Sequence, residues 1–582
     1  MNLPRFLLAA ALLAALPATA APPHNIVIFV ADGLRYVSVT PQSAPDLWAV
    51  KRNGVDFTNS HSLYPTITTV NASAIATGHY IGDTGNFGNG LYAGFESAVT
   101  HAPIAAMESD ITLGEMNEHF GGNYLNETSL IAAARQAGYA TAAMGKIGPT
   151  SIQDVTQRDG TGTIVIDDAL GTAKGLPVPT DIEAAMKANG LPDTAPKTDV
   201  PNDVQQKYML AIATKVVLPK LANSGHPFVM LYWSRDPDNS QHGTKDSLGK
   251  LTSGIDGPSG LAGIKDANDS FATLMAALKA RGLDKTTDVF VTADHGFSTI
   301  DHHSATSITA KSTGETISGF VAYDLADALG LPLADPASHK VIDYKAGEKL
   351  SGGSGLLMGA GDRVDVLVVA NGGSDLLYLP GDDAKHRAKQ VVEALSREDY
   401  VSGIFVNDAL GEIPGALPMS AVNLIGSALT PKPSIVVSFA SHPIAGCKPL
   451  LMCAAEMADT PLQTGQGMHG SFSRADTRNF MAAIGPDFKA HFADRAPVSN
   501  ADIAPTLARI AGLEIAPKGT LQGRPDIEAL RGGKPVASAK HVVASAPAAN
   551  GEKTVLQYQT VGSTRYFDAA GFPGRTVGLS SH

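Results

Sequence analysis

Carboxylates and imidazoles gather at three places in the chain, and each place follows or adjoins an apolar run. IVIFVADG ends at Asp32, FVMLYWSRDPDNSQHG carries Asp238 and His242, and DVFVTADHG carries Asp294 and His295. GMHGSF adds His469, and YPTITTVNASAIATG sets Thr66, Thr68 and Thr69 ahead of a helix-like stretch. Asp and neutral His suit first-row divalent metals. A hydroxyl at a helix start sits where the N-terminal amides attract phosphate. Carboxylates and imidazoles at strand ends, with such a hydroxyl, are the parts of a two-metal phosphoryl-transfer site.

Taken singly, each signal has a plainer reading. Asp32 could be a turn or helix-capping residue, although a carboxylate just past a buried strand must project out of the core. Asp238 and His242 are spaced i, i+4, which puts them on one face of a helical turn. Asp294 and His295 are adjacent, and they can face one ion only where the strand ends and the backbone turns; Gly296 lets the chain leave sharply. At least one of the three threonines is expected to cap the helix. Threonine is a weak nucleophile unless a metal activates it. The three strand-end sites together argue against the plainer reading of each.

The elements that must position these residues read as α/β. Short apolar strands are predicted at Asn25–Ala31, Ala140–Gly145, Pro227–Trp233 and Asp288–Thr292. Helical patterns cover Thr128–Gln136, Val204–Lys220 and Ala267–Arg281. The alternation implies a parallel sheet with helices on both faces. From Ser304 to Phe439 the chain is richer in glycine and turns, with strands expected at Arg363–Ala370 and Ser434–Phe439 and a helix at Asp383–Leu395. We read residues 304–439 as an inserted α+β cap and residues 21–303 and 440–582 as the core. Asn500–Gly512 predicts a late helix capped by Asn500, and the segment after Ala537 suggests a β-hairpin tail.

Residues 1–20 have the form of a cleaved export signal: Arg5, an apolar run from Phe6 to Leu16, then Ala18-Thr19-Ala20. The run is short for a bilayer span, so a periplasmic or secreted protein without a membrane span is expected. Removing the segment takes away Arg5 and moves the net charge from −12 to −13. That balance argues against binding nucleic acid duplexes but not against a phosphate substrate, because bound divalent cations invert the local field. Cys447 and Cys453 are expected to form a local disulfide. The oligomeric state is not legible.

Pro65 to Asn71 (P-T-x-T-x-x-N), followed by Thr77-Gly78, resembles the nucleophile region of nucleotide pyrophosphatase/phosphodiesterases of the alkaline phosphatase superfamily. The ADG, PDxxxHG and DHG fragments stand in that family's order. The resemblance covers most of residues 24–300 and resumes around 467–488. It implies an alkaline-phosphatase-like fold and two zinc ions, one held by Asp238, His242 and His469, the other by Asp32, Thr68, Asp294 and His295. It also implies Thr68 as nucleophile and Asn89 as a donor to a phosphoryl oxygen of a small-molecule phosphodiester or nucleotide pyrophosphate. Thr69 and Val70 depart from the residues usual after the nucleophile, which leaves nucleotide preference open. Lys146 matches a lysine that superfamily monoesterases use to bind phosphate, but the arginine two residues on is replaced by Gly148. An alkaline-phosphatase-type monoesterase using Lys146 is therefore the alternative, with Lys146 otherwise an ordinary solvated lysine. Phosphonate and sulfate esters are further options, and a non-catalytic exported metal-binding protein is the reading from a different class.

Overall fold

The computed structural model describes residues 24–445 and 453–580. The expected export signal and Cys447 lie outside them; Cys453 is buried. A central sheet of eight strands is formed by β1 (Asn25–Ala31), β2 (Val55–Phe57), β3 (Ala140–Gly145), β4 (Thr163–Asp167), β5 (Phe228–Ser234), β6 (Thr287–Thr292), β7 (Met481–Ile484) and β8 (Phe492–Asp494), in the order β8-β2-β7-β6-β1-β5-β3-β4. All pairings are parallel except those of β7, which runs antiparallel to both β6 and β2, so the sheet is mixed.

β1 is apolar along its whole length because it is buried on both sides. Ile26, Ile28 and Val30 pack against Ile75 of α2 (Thr68–Thr77), Ile131 of α3 (Leu130–Gln136) and Leu507 of α6 (Ile503–Ala511). Val27 and Phe29 face the other way, toward Leu47 of α1 (Pro45–Asn53) and Phe271 and Leu274 of α5 (Pro258–Ala280). This is the period-two alternation of a strand with a helical layer on each face. α5 starts earlier than its apolar periodicity predicts, because Pro258 at the first turn and Gly257 before it open the helix upstream. The predicted Val204–Lys220 helix is interrupted by a π-turn at Ala213–Val217.

A second eight-stranded sheet is built between residues 333 and 439. Leu367, Val369, Leu376, Phe405 and Val436 on one face join the same apolar cluster as α2. Val366, Val368, Leu377, Ile404 and Val437 on the other pack against the helices Phe320–Leu329 and Ala384–Ser396. The segment expected as a cap thus shares a packed layer with the central unit. The C-terminal tail is a three-stranded antiparallel sheet, Ala539–Ala544, Val555–Val561 and Thr564–Gly571, one strand more than the expected hairpin. Among the described residues no helix is long and apolar enough to cross a membrane.

Candidate active site

Strand order assembles the site. β6, β1 and β5 are neighbours, and β3 lies beside β5, so their carboxyl ends form a row. Asp294-His295, Asp32, Asp238 and Lys146 emerge along it, each a few residues beyond a strand end. The main chain ties them together: Asp32 N donates to Ser234 O, Asp238 N to Asp32 O and Lys146 N to Trp233 O, at 3.1, 3.0 and 3.2 Å. Asp238 and His242 open and close a single helical turn, α4 (Asp238–His242), with His242 Nε2 3.1 Å from Asp238 Oδ1. Gly296 is required for a different reason from the expected sharp exit. A Cβ there would lie 2.0 Å from the carbonyl oxygen of Ala475. His469, far away in sequence, arrives because Gly467–Met468 pairs with Ser298–Ile300, just past His295. The His295 and His469 rings stack with centroids 3.5 Å apart.

Three histidines share one arrangement. His242 Nδ1 meets Gly467 O, His295 Nδ1 meets Gly296 O and His469 Nδ1 meets Thr66 O, each at 2.8 Å. Carbonyls only accept, so each Nδ1 carries a proton and donates it. Each Nε2 faces the carboxylates: His295 Nε2 is 3.2 Å from Asp294 Oδ2 and 3.6 Å from Asp32 Oδ1, and His469 Nε2 is 3.6 Å from Asp238 Oδ1. A ring locked through Nδ1 that offers Nε2 is prepared as a metal ligand.

The carboxylates complete the fit. Asp32 Oδ1, Asp238 Oδ1 and Asp294 Oδ2 are buried, with no backbone or hydroxyl donor on them among the described residues, and they face histidine Nε2 atoms. The other oxygens are engaged: Trp233 Nε1 donates to Asp32 Oδ2 at 2.7 Å, and Gly33 N to Asp294 Oδ1 at 3.0 Å. Buried, unsatisfied carboxylate oxygens are costly unless a cation meets them. Asp238, His295 and His469 can converge on one ion, and Asp32, Asp294 and His295 on a second. The structure thus brings together all six Asp and His residues expected as ligands, with His242 joined to the first group through Asp238. Burial, with Asp238 and Asp294 alongside, pushes the Asp32 carboxyl well above the usual range. Burial opposes a charge on His295, but Asp294, Asp32 and Asp238 outweigh it and raise the imidazole to about 9. Burial and the neighbouring His295 hold His469 well below its ordinary value.

Thr68 is the first residue of α2, and no side chain caps that helix. Its Oγ1 lies 3.2 Å from His295 Nε2 and 3.5 Å from Lys146 Nζ. The expected capping threonine is absent: Thr66 Oγ1 donates to Ser471 O and Thr69 Oγ1 to Gly88 O. Asn89 lies beside the helix start, where its Oδ1 accepts from Thr69 N at 3.1 Å.

Lys146 is not an ordinary solvated lysine. It is 4% exposed, and its Nζ lies 3.0 Å from Asp32, 3.1 Å from Asp238 and 3.1 Å from Glu108. Burial alone would depress its pKa, but the three carboxylates reverse the sign and hold it well above the usual value. Gly148 has φ +87°, and a Cβ there would lie 2.7 Å from Glu108 Cα, so this backbone has no room for a side chain at that position.

Several supporting residues carry no motif. Asp476 Oδ2 accepts from the amides of Gly470 and Ser471 beside His469, while its carbonyl accepts from Gly296 N beside His295. Asn500, expected to cap the late helix, instead donates its amide to Asp294 O, and Ser499 and Asp502 form the capping box. Asn371 grips Gly90 by both main-chain groups, and Gly373 N donates to His469 O, so the second sheet braces the site from behind. Only the short-range capping pattern of Ser499 and Asp502 was open to a sequence reading.

Residues 26–425 match the family model described as type I phosphodiesterase / nucleotide pyrophosphatase, more than half of the 582-residue chain. The match covers the strand ends through Asp294-His295 and stops before His469. No match was found among curated proteins.

Proposed function

The chain belongs to the type I phosphodiesterase / nucleotide pyrophosphatase family and is a phosphoric ester hydrolase; from that premise we propose that it cleaves phosphodiesters or nucleotide pyrophosphates with Thr68 as nucleophile. The observation that carries this reading is the set of buried carboxylate oxygens that face Nδ1-anchored histidines around the Thr68 hydroxyl at an uncapped helix start.

Asp238, His242 and His469 would hold one divalent cation, and Asp32, Asp294, His295 and Thr68 a second. The mixed nitrogen and oxygen donors suit zinc. Bound there, the cations would supply Lewis acidity that lowers the pKa of the threonine hydroxyl and favours charge on the leaving oxygen. The chain does the positioning. The start of α2 aims Thr68 Oγ1 and its amide dipoles at the incoming phosphorus. Thr68 gives up its hydroxyl proton and Oγ1 bonds to phosphorus as the bond to the leaving alkoxide or phosphate oxygen breaks; water then hydrolyses the phosphothreonine and restores the hydroxyl. With Asn89 Oδ1 engaged by Thr69 N, the Nδ2 amide is the end that can donate to a non-bridging oxygen.

A second reading has one observation in its favour. Lys146 Nζ lies close enough to Thr68 Oγ1 to touch a bound phosphoryl group, as an alkaline-phosphatase-type monoesterase would need. The deciding test compares kcat/KM for an aryl phosphate diester and the corresponding monoester on protein supplied with zinc. A diester preference is expected, and a monoester preference would favour the second reading. Thr68→Ala should abolish turnover while the protein still binds zinc, and wild-type activity in that variant would refute the nucleophile assignment. Export through cleavage before Ala21 belongs to the same proposal, and the N-terminal sequence of the mature protein tests it.

A further inference from the structure

We infer that Glu108 selects the class of phosphate ester by neutralising Lys146 at the open side of the site; this rests on the hydrolase reading with Thr68 as nucleophile. An ammonium group has three protons, and Lys146 faces three carboxylates. Two of them, Asp32 and Asp238, belong to the buried ligand set. The third, Glu108, has a side chain 35% exposed, so it is the member of the trio that reaches solvent, while the Oε1 that faces Lys146 is buried. Glu108 Oε1 accepts no other hydrogen bond; the lysine, 3.1 Å away, is its counter-ion.

Main-chain contacts hold together the segments that carry the pair. Met107 N donates to Asn89 O at 2.7 Å, which ties the residue before Glu108 to the loop carrying Asn89. On the other side Gly148, two residues past Lys146, packs so closely on Glu108 Cα that a Cβ would sit 2.7 Å from it. The Asn89, Glu108 and Lys146 segments therefore interlock beside Thr68.

This arrangement discriminates by charge. A phosphate monoester brings three non-bridging oxygens and two negative charges, and a diester two such oxygens and one charge. Without Glu108, a lysine 3.5 Å from the nucleophile would have one counter-charge fewer and would favour the dianion more strongly. Cancelling that lysine, and placing a carboxylate beside the third oxygen, penalises the dianion more than the diester, whose ester oxygen there carries no charge.

Glu108→Gln keeps the shape and removes the charge. On full-length protein supplied with zinc, the monoester-to-diester ratio of kcat/KM should rise by about 10-fold or more, and inorganic phosphate should inhibit at about 10-fold lower concentration. Glu108→Ala should shift both in the same direction, which guards against a misfolded single variant. Adding Lys146→Met to Glu108→Gln should erase the gain. A ratio and a phosphate inhibition within roughly two-fold of wild type, or a gain that survives loss of the lysine, would overturn the inference while the hydrolase reading stands. Wild-type protein that hydrolyses neither ester would overturn both.

Discussion

Trp233→Phe isolates one hydrogen bond to a carboxylate of the proposed metal centre. Trp233 Nε1 donates to Asp32 Oδ2 at 2.7 Å, and both residues are fully buried. The same oxygen lies 3.0 Å from Lys146 Nζ, and Oδ1 has no backbone or hydroxyl donor among the described residues. Without the indole N–H, Oδ2 keeps Lys146 Nζ as its partner and loses its neutral hydrogen-bond donor. Loss of a hydrogen bond that orients a metal ligand typically costs 10–100-fold in affinity, or about 1.4–2.7 kcal/mol. Leaving the buried acceptor short should also cost the metal-free fold about 1–3 kcal/mol. Zinc affinity, measured by competition with a chromophoric chelator, and urea unfolding of metal-free protein separate the two effects. If stability falls but zinc affinity stays within roughly two-fold of wild type, Trp233 merely fills the core and does not orient Asp32.

Other perturbations follow from the same contacts. Asp335 accepts from the amides of Ala337, Ser338 and Ser351 and from both serine hydroxyls; burial opposes its ionisation, but these donors lower the carboxyl to about 2. Because the folded value lies below the unfolded one, its contribution of about 2 kcal/mol is complete above about pH 4 and is lost as the pH falls through about 2. Asp335→Asn should therefore lower stability at neutral pH and flatten the acid limb of a stability-against-pH curve. Gly148→Ala places a side chain at positive φ against Glu108 and should cost about 1–3 kcal/mol in denaturant unfolding. Asn371→Ala removes both contacts to Gly90, next to Asn89, and should cost about 1–3 kcal/mol of stability. A rise in KM larger than the fall in kcat in that variant would show that Asn89 acts mainly in ground-state binding.

Much of the central unit was legible because its signals are local. β1 and β3 match their predicted limits, β5 is displaced from its own by one residue at each end and β6 starts one residue earlier, since strands buried on both faces read as continuous apolar runs. β7 escaped notice because a four-residue antiparallel strand, Met481–Ile484, has no periodicity to separate it from other short apolar runs. An asparagine before a helix is ambiguous by itself, and the long-range bond of Asn500 to Asp294 O decides its role against capping. Glu108 had no signal, since its contact with Lys146 joins two separate segments of the chain.

The residue types at the ends of apolar runs, read with their spacing and order, pointed to the ligand candidates and to Thr68, because those signals are carried within a few residues of each other. The family match covers residues 26–425 and shows the family. Only the tertiary structure decided which strand ends are neighbours, and with that which groups meet. The order β6-β1-β5-β3 puts Asp294, Asp32, Asp238 and Lys146 in one row, and the pairing of Gly467–Met468 with Ser298–Ile300 delivers His469 to His295. Burial then turns carboxylate oxygens toward histidine Nε2 atoms and gives Lys146 three counter-charges. Coulomb energy and desolvation depend on distances in space, and separation along the chain does not specify them.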